Sequence, residues 1–214
     1  MKKKIILVGG GGHCRSCVEV LESTKRYLIT GIVGFPEQVG GIILGYPIVG
    51  SDLDLPQLLL ANCNRALVTV GQIKFADPRI HLFDLLSKLG AEVPVVIAAS
   101  ALVSRHANIG QGTIVMHGAI INAGATIGEN CIVNSRSLVE HDTHVDDHCH
   151  ISTNAVLNGG VRVGRETFVG SGSIVHQNIE IGHRCTIGAG AIITKNIESD
   201  SLVQVNQNIN CTSR

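Results

Sequence analysis

From Ile97 to Ile193 every sixth residue is Ile, Val or Leu, and no position breaks the register. A period of six fits neither the 3.6-residue spacing of a helix nor the two-residue alternation of a half-buried strand. It fits a hexapeptide solenoid, in which each unit of six makes one short strand and a turn, three units close a triangular coil, and equivalent side chains stack eighteen residues apart. Four places after each branched residue comes a small or compact one with few exceptions, as at Ala107, Thr113, Ala119, Ala125, Cys131, Ser137, Thr143, Cys149 and Ala155. The branched residue is expected to point inward. Aromatic content of 3% with no Trp suits the narrow interior this implies, which must be filled by Val, Ile, Leu and Ala.

The repeat leaves about ninety-five N-terminal residues unexplained, so two domains are expected, residues 1–95 and 96–214. Formal net charge is zero, with Lys+Arg 17 against Asp+Glu 17, and no long basic run follows Lys2 to Lys4, which argues against a nucleic-acid partner. The apolar run at Ile5 to Val8 meets glycine too soon to be a signal peptide or a membrane span, and the chain reads as soluble and cytoplasmic. The seven cysteines are odd in number and scattered. Cys131, Cys149 and Cys185 share the small slot of the repeat and are expected to stack as apolar groups. Cys14 and Cys17 have CxxC spacing without a second pair, which is half a zinc site and supports neither metal nor redox use.

The first domain alternates. A strand covered on both faces at 5–8 runs into Gly9 to Gly12, and a helix follows over 15–24. Further elements are predicted as strand 27–33, helix 53–61, strand 66–70 ending at Gly71, helix 79–89 and a last short strand 95–97. This βα alternation predicts a small parallel sheet of Rossmann-like α/β type. A strand, glycine turn and helix leave backbone N–H groups free to meet a phosphate. GxGxxG is not completed, because position 15 is Arg, so a dinucleotide is disfavoured and a smaller anion such as a nucleotide diphosphate is preferred.

Within the repeat, Glu140-His141-Asp142 places an imidazole between two acids at an outward position near a corner, with His144, His148 and His150 following. A carboxylate that accepts the Nδ1 proton would fix the tautomer and leave Nε2 as a base. His144 and His148 read as surface polar residues. His148 and His150 occupy different slots and His144 and His150 neighbouring faces, so the histidines diverge and no single-chain metal site is expected.

The glycine turn ending Gly12-His13, the segment Ile43 to Gly50, Val70-Gly71, Arg79, the stretch Val93 to Ser104, Asn134 and Glu140-His141-Asp142 together resemble the NeuD/PglD-like sugar acetyltransferases over nearly the whole chain. That resemblance implies a Rossmann-like nucleotide-sugar domain followed by a left-handed parallel β-helix, with acetyl-coenzyme A as co-substrate and no metal. It implies His141 as general base supported by Asp142, with Gly11, Gly12, His13, Gly71 and Asn134 toward the nucleotide sugar. His150, Gly159, Ser171 and Ala189 match positions lining the cofactor. It implies a homotrimer that brings His141 of one chain close to His150 of the next. The reaction implied is acetylation of the amino group of a nucleotide-linked 4-amino-dideoxy sugar, by direct transfer. The alternatives are O-acetylation of a sialic-acid-like nonulosonic acid and, outside enzymes, a structural or metal-binding β-helix. Two features depart from the family pattern. The second strand ends Val33-Gly34-Phe35, where family members carry acids that meet uracil or ribose, and Val203 to Asn206 replaces the closing GxPA turn, so the adenine end of the cofactor is expected to be held differently.

Overall fold

The structure, a computed structural model, describes residues 2–62 and 64–205. Two of the seven cysteines, Cys63 and Cys211, and Asn206 of the closing segment lie outside the described residues. The N-terminal half is a five-stranded sheet in the order β3-β4-β2-β1-β5, built from β1 (Lys3–Val8), β2 (Tyr27–Val33), β3 (Ile42–Ile43), β4 (Tyr46–Gly50) and β5 (Ala66–Val68). All pairings are parallel except β3 with β4, an antiparallel hairpin that the sequence reading did not include. Three helices cover it: α1 (Gly12–Thr24), α2 (Leu55–Asn62) and α3 (Asp77–Lys88).

Helix α1 starts one turn earlier than predicted, which puts Gly12 and His13 in its first turn. Its buried face, Cys14, Cys17, Val18 and Leu21, packs on β1 and β2 and also on Ile114, Met116 and Ile132 of the second half. Both cysteines are 0% exposed, and burial pushes their thiols up, so they serve as small apolar groups. Helices α2 and α3 close the opposite face around Val8, Val33, Leu59, Val68, Phe83 and Leu86.

From Val96 onward the chain winds as a left-handed β-helix with one two-residue strand per repeat. Its three flat faces are a seven-stranded sheet beginning at Val96–Ile97 (face I), a six-stranded sheet beginning at Leu102–Val103 (face II) and a five-stranded sheet beginning at Asn108–Ile109 (face III). Partners lie eighteen residues apart, as in Ile132↔His150 and Thr126↔His144. The strand at Val96–Ile97 therefore belongs to the coil, where it pairs with Ile114–Val115, and not to the N-terminal sheet. The expected stacking is found: the branched residues from Val115 to Ile193 are at most 4% exposed, and Cys131, Cys149 and Cys185 lie in the same column. Only at the open end does the pattern loosen, with Ile97 37% exposed.

The corners carry a second period. From Asn130 to Gly190 every sixth residue has positive φ, through Arg136, Asp142, His148, Asn154, Gly160, Glu166, Gly172, Asn178 and Arg184. A tight corner needs one left-handed residue, and Gly, Asn and Asp take that conformation at least cost.

The outward residues differ between faces. Face I presents Ile114, Ile132 and His150, buried beneath the N-terminal half, whereas face III presents Asn108, Thr126, His144, Arg162 and Glu180 to solvent. Face II presents Leu102, Ile120, Leu138, Val156, Ile174 and Ile192, an aliphatic ladder that none of the described residues covers, with Leu102 65% and Ile192 63% exposed. No helix among the described residues is long and apolar enough to cross a membrane.

Candidate active site

The corner between faces II and III carries the histidine–carboxylate pair. His141 Nδ1 lies 2.9 Å from Asp142 Oδ2, and the His141 side chain is 64% exposed. The hydrogen bond that the imidazole donates to the Asp142 carboxylate raises its pKa, with the nearby charges of Asp142 and Glu140 acting in the same direction. A carboxylate only accepts, so Nδ1 carries the proton of the neutral ring and Nε2 is left free. Asp142 holds its place through the left-handed backbone of the corner (φ 58°). Glu140 is tied back, accepting from Asn122 Nδ2 at 2.9 Å and from the His141 amide at 3.3 Å. One coil further on sits Gly159. A Cβ there would fall 2.7 Å from both Cε1 and Nε2 of His141, so the bare glycine backbone is what lets the ring lie over it.

The other expected residues gather at the corner between faces I and II. Asn134 Nδ2 is 3.0 Å from His150 Nε2, and His150 Nδ1 is 2.6 Å from the Gln72 carbonyl oxygen. Because that carbonyl accepts, Nδ1 donates and Nε2 receives the amide N–H, which fixes the tautomer. His150 meets Phe168 edge-on at 5.2 Å and is 6% exposed, and burial depresses its pKa to about 4. Ser171 is 2.9 Å from Ser152 through their hydroxyls. Ser171 and Ala189 line a groove of ≈ 620 Å³ whose opposite wall is Ile73, Lys74 and Phe75 of the N-terminal half. His141 and Gly159 are thus on one edge of face II, and Asn134, Ser171 and Ala189 on the other.

A third constellation sits at the C-terminal ends of β1, β2 and β5. Gly9 to Gly12, His13 and Gly71 line a cleft of ≈ 170 Å³, and a Cβ on Gly11 or Gly12 would meet nothing within 4 Å. The glycines therefore leave open the space in front of the α1 N-terminus, where amide groups face outward. His13 is held neutral, its pKa depressed to about 3 by burial and then by Arg79. Its Nε2 is buried with no protein partner among the described residues. His13 and His150 approach to 6.5 Å between ring centroids, so this cleft and the first corner adjoin.

Between the two halves lies a polar seam that sequence reasoning did not assign. Arg79 is 0% exposed and donates to the carbonyls of Val68 (3.0 Å), Val70 (2.9 Å) and Asn130 (3.1 Å), bridging α3, the end of β5 and the coil. Burial lowers its pKa to about 10, which keeps it charged at neutral pH. His148, read from sequence as a surface residue, is in fact 8% exposed, 3.1 Å from Asn130 and edge-on to Phe83. Docking of the N-terminal half buries it, an event the repeat does not encode. His144 stays partly exposed beside Asp146 at 2.8 Å. Among the described residues no group of three or more His, Cys, Asp or Glu is arranged to hold a metal. The exposed Phe35 and Phe75 were not singled out from sequence, although a bare aromatic in an aromatic-poor chain is a signal in its own right.

A triangular coil with a histidine–carboxylate pair on one corner and a long groove on another defines a hexapeptide-type acyltransferase frame. Residues 4–76 match the PglD N-terminal domain, and residues 106–141 and 160–195 match the bacterial transferase hexapeptide repeats. Perosamine N-acetyltransferase from Caulobacter crescentus, solved with coenzyme A and GDP-perosamine as a variant with one histidine replaced by asparagine, is 31% identical with a TM-score of 0.88, covering 93% of this chain and 92% of that one. The acetyltransferase domain of PglB from Neisseria gonorrhoeae, in complex with acetyl coenzyme A, is 31% identical with a TM-score of 0.84, covering 94% of this chain and 97% of that one. WeeI from Acinetobacter baumannii, 20% identical over 94% of this chain and 97% of its own, shares the fold with a TM-score of 0.80. No curated protein matches at a significant level. The chain belongs to the NeuD/PglD-like sugar acetyltransferases.

Proposed function

We propose that this enzyme transfers the acetyl group of acetyl-coenzyme A to the amino group of a nucleotide-linked 4-amino-dideoxy sugar. The observation that carries the reading is the His141–Asp142 pair, with its free Nε2 exposed above Gly159. A sugar amine is largely protonated at neutral pH and attacks only as the free base, after one proton has gone to solvent; its nitrogen then sheds a second proton as it bonds to the thioester carbonyl. Nε2 of His141 takes that proton while Asp142 stabilises the imidazolium. Backbone N–H groups near Gly159 hold the developing oxyanion; as it collapses the C–S bond breaks, and the proton held on His141 passes to the departing sulfur, so that coenzyme A leaves as the thiol. Gly11, Gly12 and His13 hold the nucleotide sugar in the cleft before α1, with Gly71 and Asn134 beside it. His150, Ser171 and Ala189 line the acetyl-coenzyme A groove.

The two halves of this site lie on opposite edges of face II, so one chain does not complete it. Six stacked aliphatic residues on that face call for a cover. A homotrimer packed through face II supplies it, and sets the His141 corner of one copy against the His150 corner of the next. We take residues 1–95 and 96–214 as the two domains, and the cytoplasm, where acetyl-coenzyme A and nucleotide sugars are at hand, as the site of action in making a surface glycan or glycoprotein.

The test is thiol release from acetyl-coenzyme A against a panel of GDP- and UDP-linked 4-amino sugars and sialic acids. Turnover with an amino sugar is expected; turnover with sialic acid alone would move the assignment to O-acetylation. Co-expressed His141→Ala and Ser171→Trp chains, each inactive alone, are expected to regain activity together, and failure to do so refutes the shared site.

A further inference from the structure

The nucleotide cleft holds two groups that the acetyl-transfer reading leaves unused. Phe35, which follows the end of β2, lines the cleft with its side chain exposed; the residue is 68% exposed in a chain with four Phe, two Tyr and no Trp. Its backbone is fixed: the Phe35 amide donates to Gln38 Oε1 at 2.9 Å and Pro36 follows. A held, bare aromatic ring at the mouth of a cleft is a stacking platform for a planar base. Asp52, just past β4, lines the same cleft. The neighbouring Asp54 is already engaged, its Oδ2 accepting from the Ser51 amide at 2.8 Å and the Ser51 hydroxyl at 3.0 Å. Asp52 has no such partner among the described residues.

On the reading given above, the diphosphate occupies the α1 N-terminus. A carboxylate repels it, so Asp52 faces the nucleoside end. A carboxylate only accepts, through two oxygens. Guanine presents two adjacent donors, N1–H and the 2-amino group, which match it. Uracil presents one N–H between two carbonyls that a carboxylate repels, and adenine sets its single amino donor beside an acceptor. We propose that Phe35 and Asp52 are the specificity-determining residues of the nucleotide cleft and select a guanine nucleotide, by stacking and by a paired hydrogen bond to the base edge. The acid missing from the end of β2 is replaced from β4, one strand over in the sheet.

This inference rests on the cleft being a nucleotide site but not on acetyl transfer, so it is tested by calorimetric binding of free GDP, IDP and UDP to the full chain without acetyl-coenzyme A. The expected order is GDP, then IDP, which lacks the 2-amino group, then UDP, with about tenfold between first and last. Asp52→Asn should remove most of the GDP preference and leave UDP nearly unchanged, and Phe35→Ala should weaken GDP by about tenfold. Equal binding of GDP and UDP by the unaltered protein overturns the proposal without need of a variant. So does an Asp52→Asn loss that is the same for all three nucleotides, which would mean ribose recognition. Absence of thiol release with every sugar, beside a GDP preference, would sink acetyl transfer and leave this inference standing.

Discussion

His141 and His150 lie half a coil apart on the same solenoid and have opposite environments. His141 stands in solvent with a carboxylate on Nδ1, which raises its pKa, while His150 is sealed beneath the N-terminal half with a backbone carbonyl on Nδ1, and burial holds it neutral. One imidazole is set up to take protons and the other to refuse them. Neighbouring charge and burial, not residue type, decide which.

The most severe way to break this contrast is His141→Ala, expected to lower turnover by about 10² to 10⁴ while acetyl-coenzyme A affinity stays intact, as read by thiol release and calorimetry. Unchanged turnover would remove the base from the mechanism. Gly159→Ala comes next. Its new Cβ would sit 2.7 Å from the ring, and an imidazole pushed aside by about 1 Å should cost roughly 10² in turnover with little change in cofactor affinity.

Asp142→Asn sharpens the comparison by making His141 an ordinary histidine. Since the carboxylate raises the pKa, the ascending limb of the pH–rate profile should lie above pH 6.5 in the unaltered enzyme and move to lower pH in the variant. Turnover at neutral pH should fall by about tenfold, less than loss of the base itself would cost, because a weaker base takes the proton less readily. A limb that does not move means the pair is not titrating in the rate-limiting step.

The buried side of the contrast leaves the chemistry alone and is read in stability instead of rate. His150 and His13 have folded-state pKa values depressed to about 4 and about 3, so between those values and 6.5 the unfolded chain binds protons that the folded one does not. Stability is therefore fully present above about pH 6.5 and is lost as the pH falls, by about 1.4 kcal/mol per pH unit for each histidine. Urea unfolding at pH 7, 6 and 5 measures it, and His150→Gln should flatten the slope. A flat profile in the unaltered protein would show that the buried imidazoles are not held neutral.

The coil was legible because its constraint is local and repeated: each inward slot from Val115 to Ile193 sees the same neighbours, so one rule written many times reports the whole stack. The His141–Asp142 pair was legible for the same reason, being two consecutive residues at a corner. The β3–β4 hairpin was missed because its strands are short and end in the tight turn Leu44-Gly45, both with positive φ. The strand at Val96–Ile97 was placed in the wrong sheet because its sequence suits a buried strand wherever it pairs.

The sequence by itself determined the periodicity, the inward column, the glycine turn before α1 and the pairing of His141 with Asp142, all of which arise from residues near in sequence or related by a fixed step. Only the tertiary structure decided that His148 is buried, that His150 is locked by Gln72 and Asn134, that Arg79 bridges three carbonyls, and that the described residues leave face II uncovered. Each of these depends on which face of the solenoid the N-terminal domain settles upon. That choice comes from complementary surfaces far apart in the chain, and no short-range pattern records it.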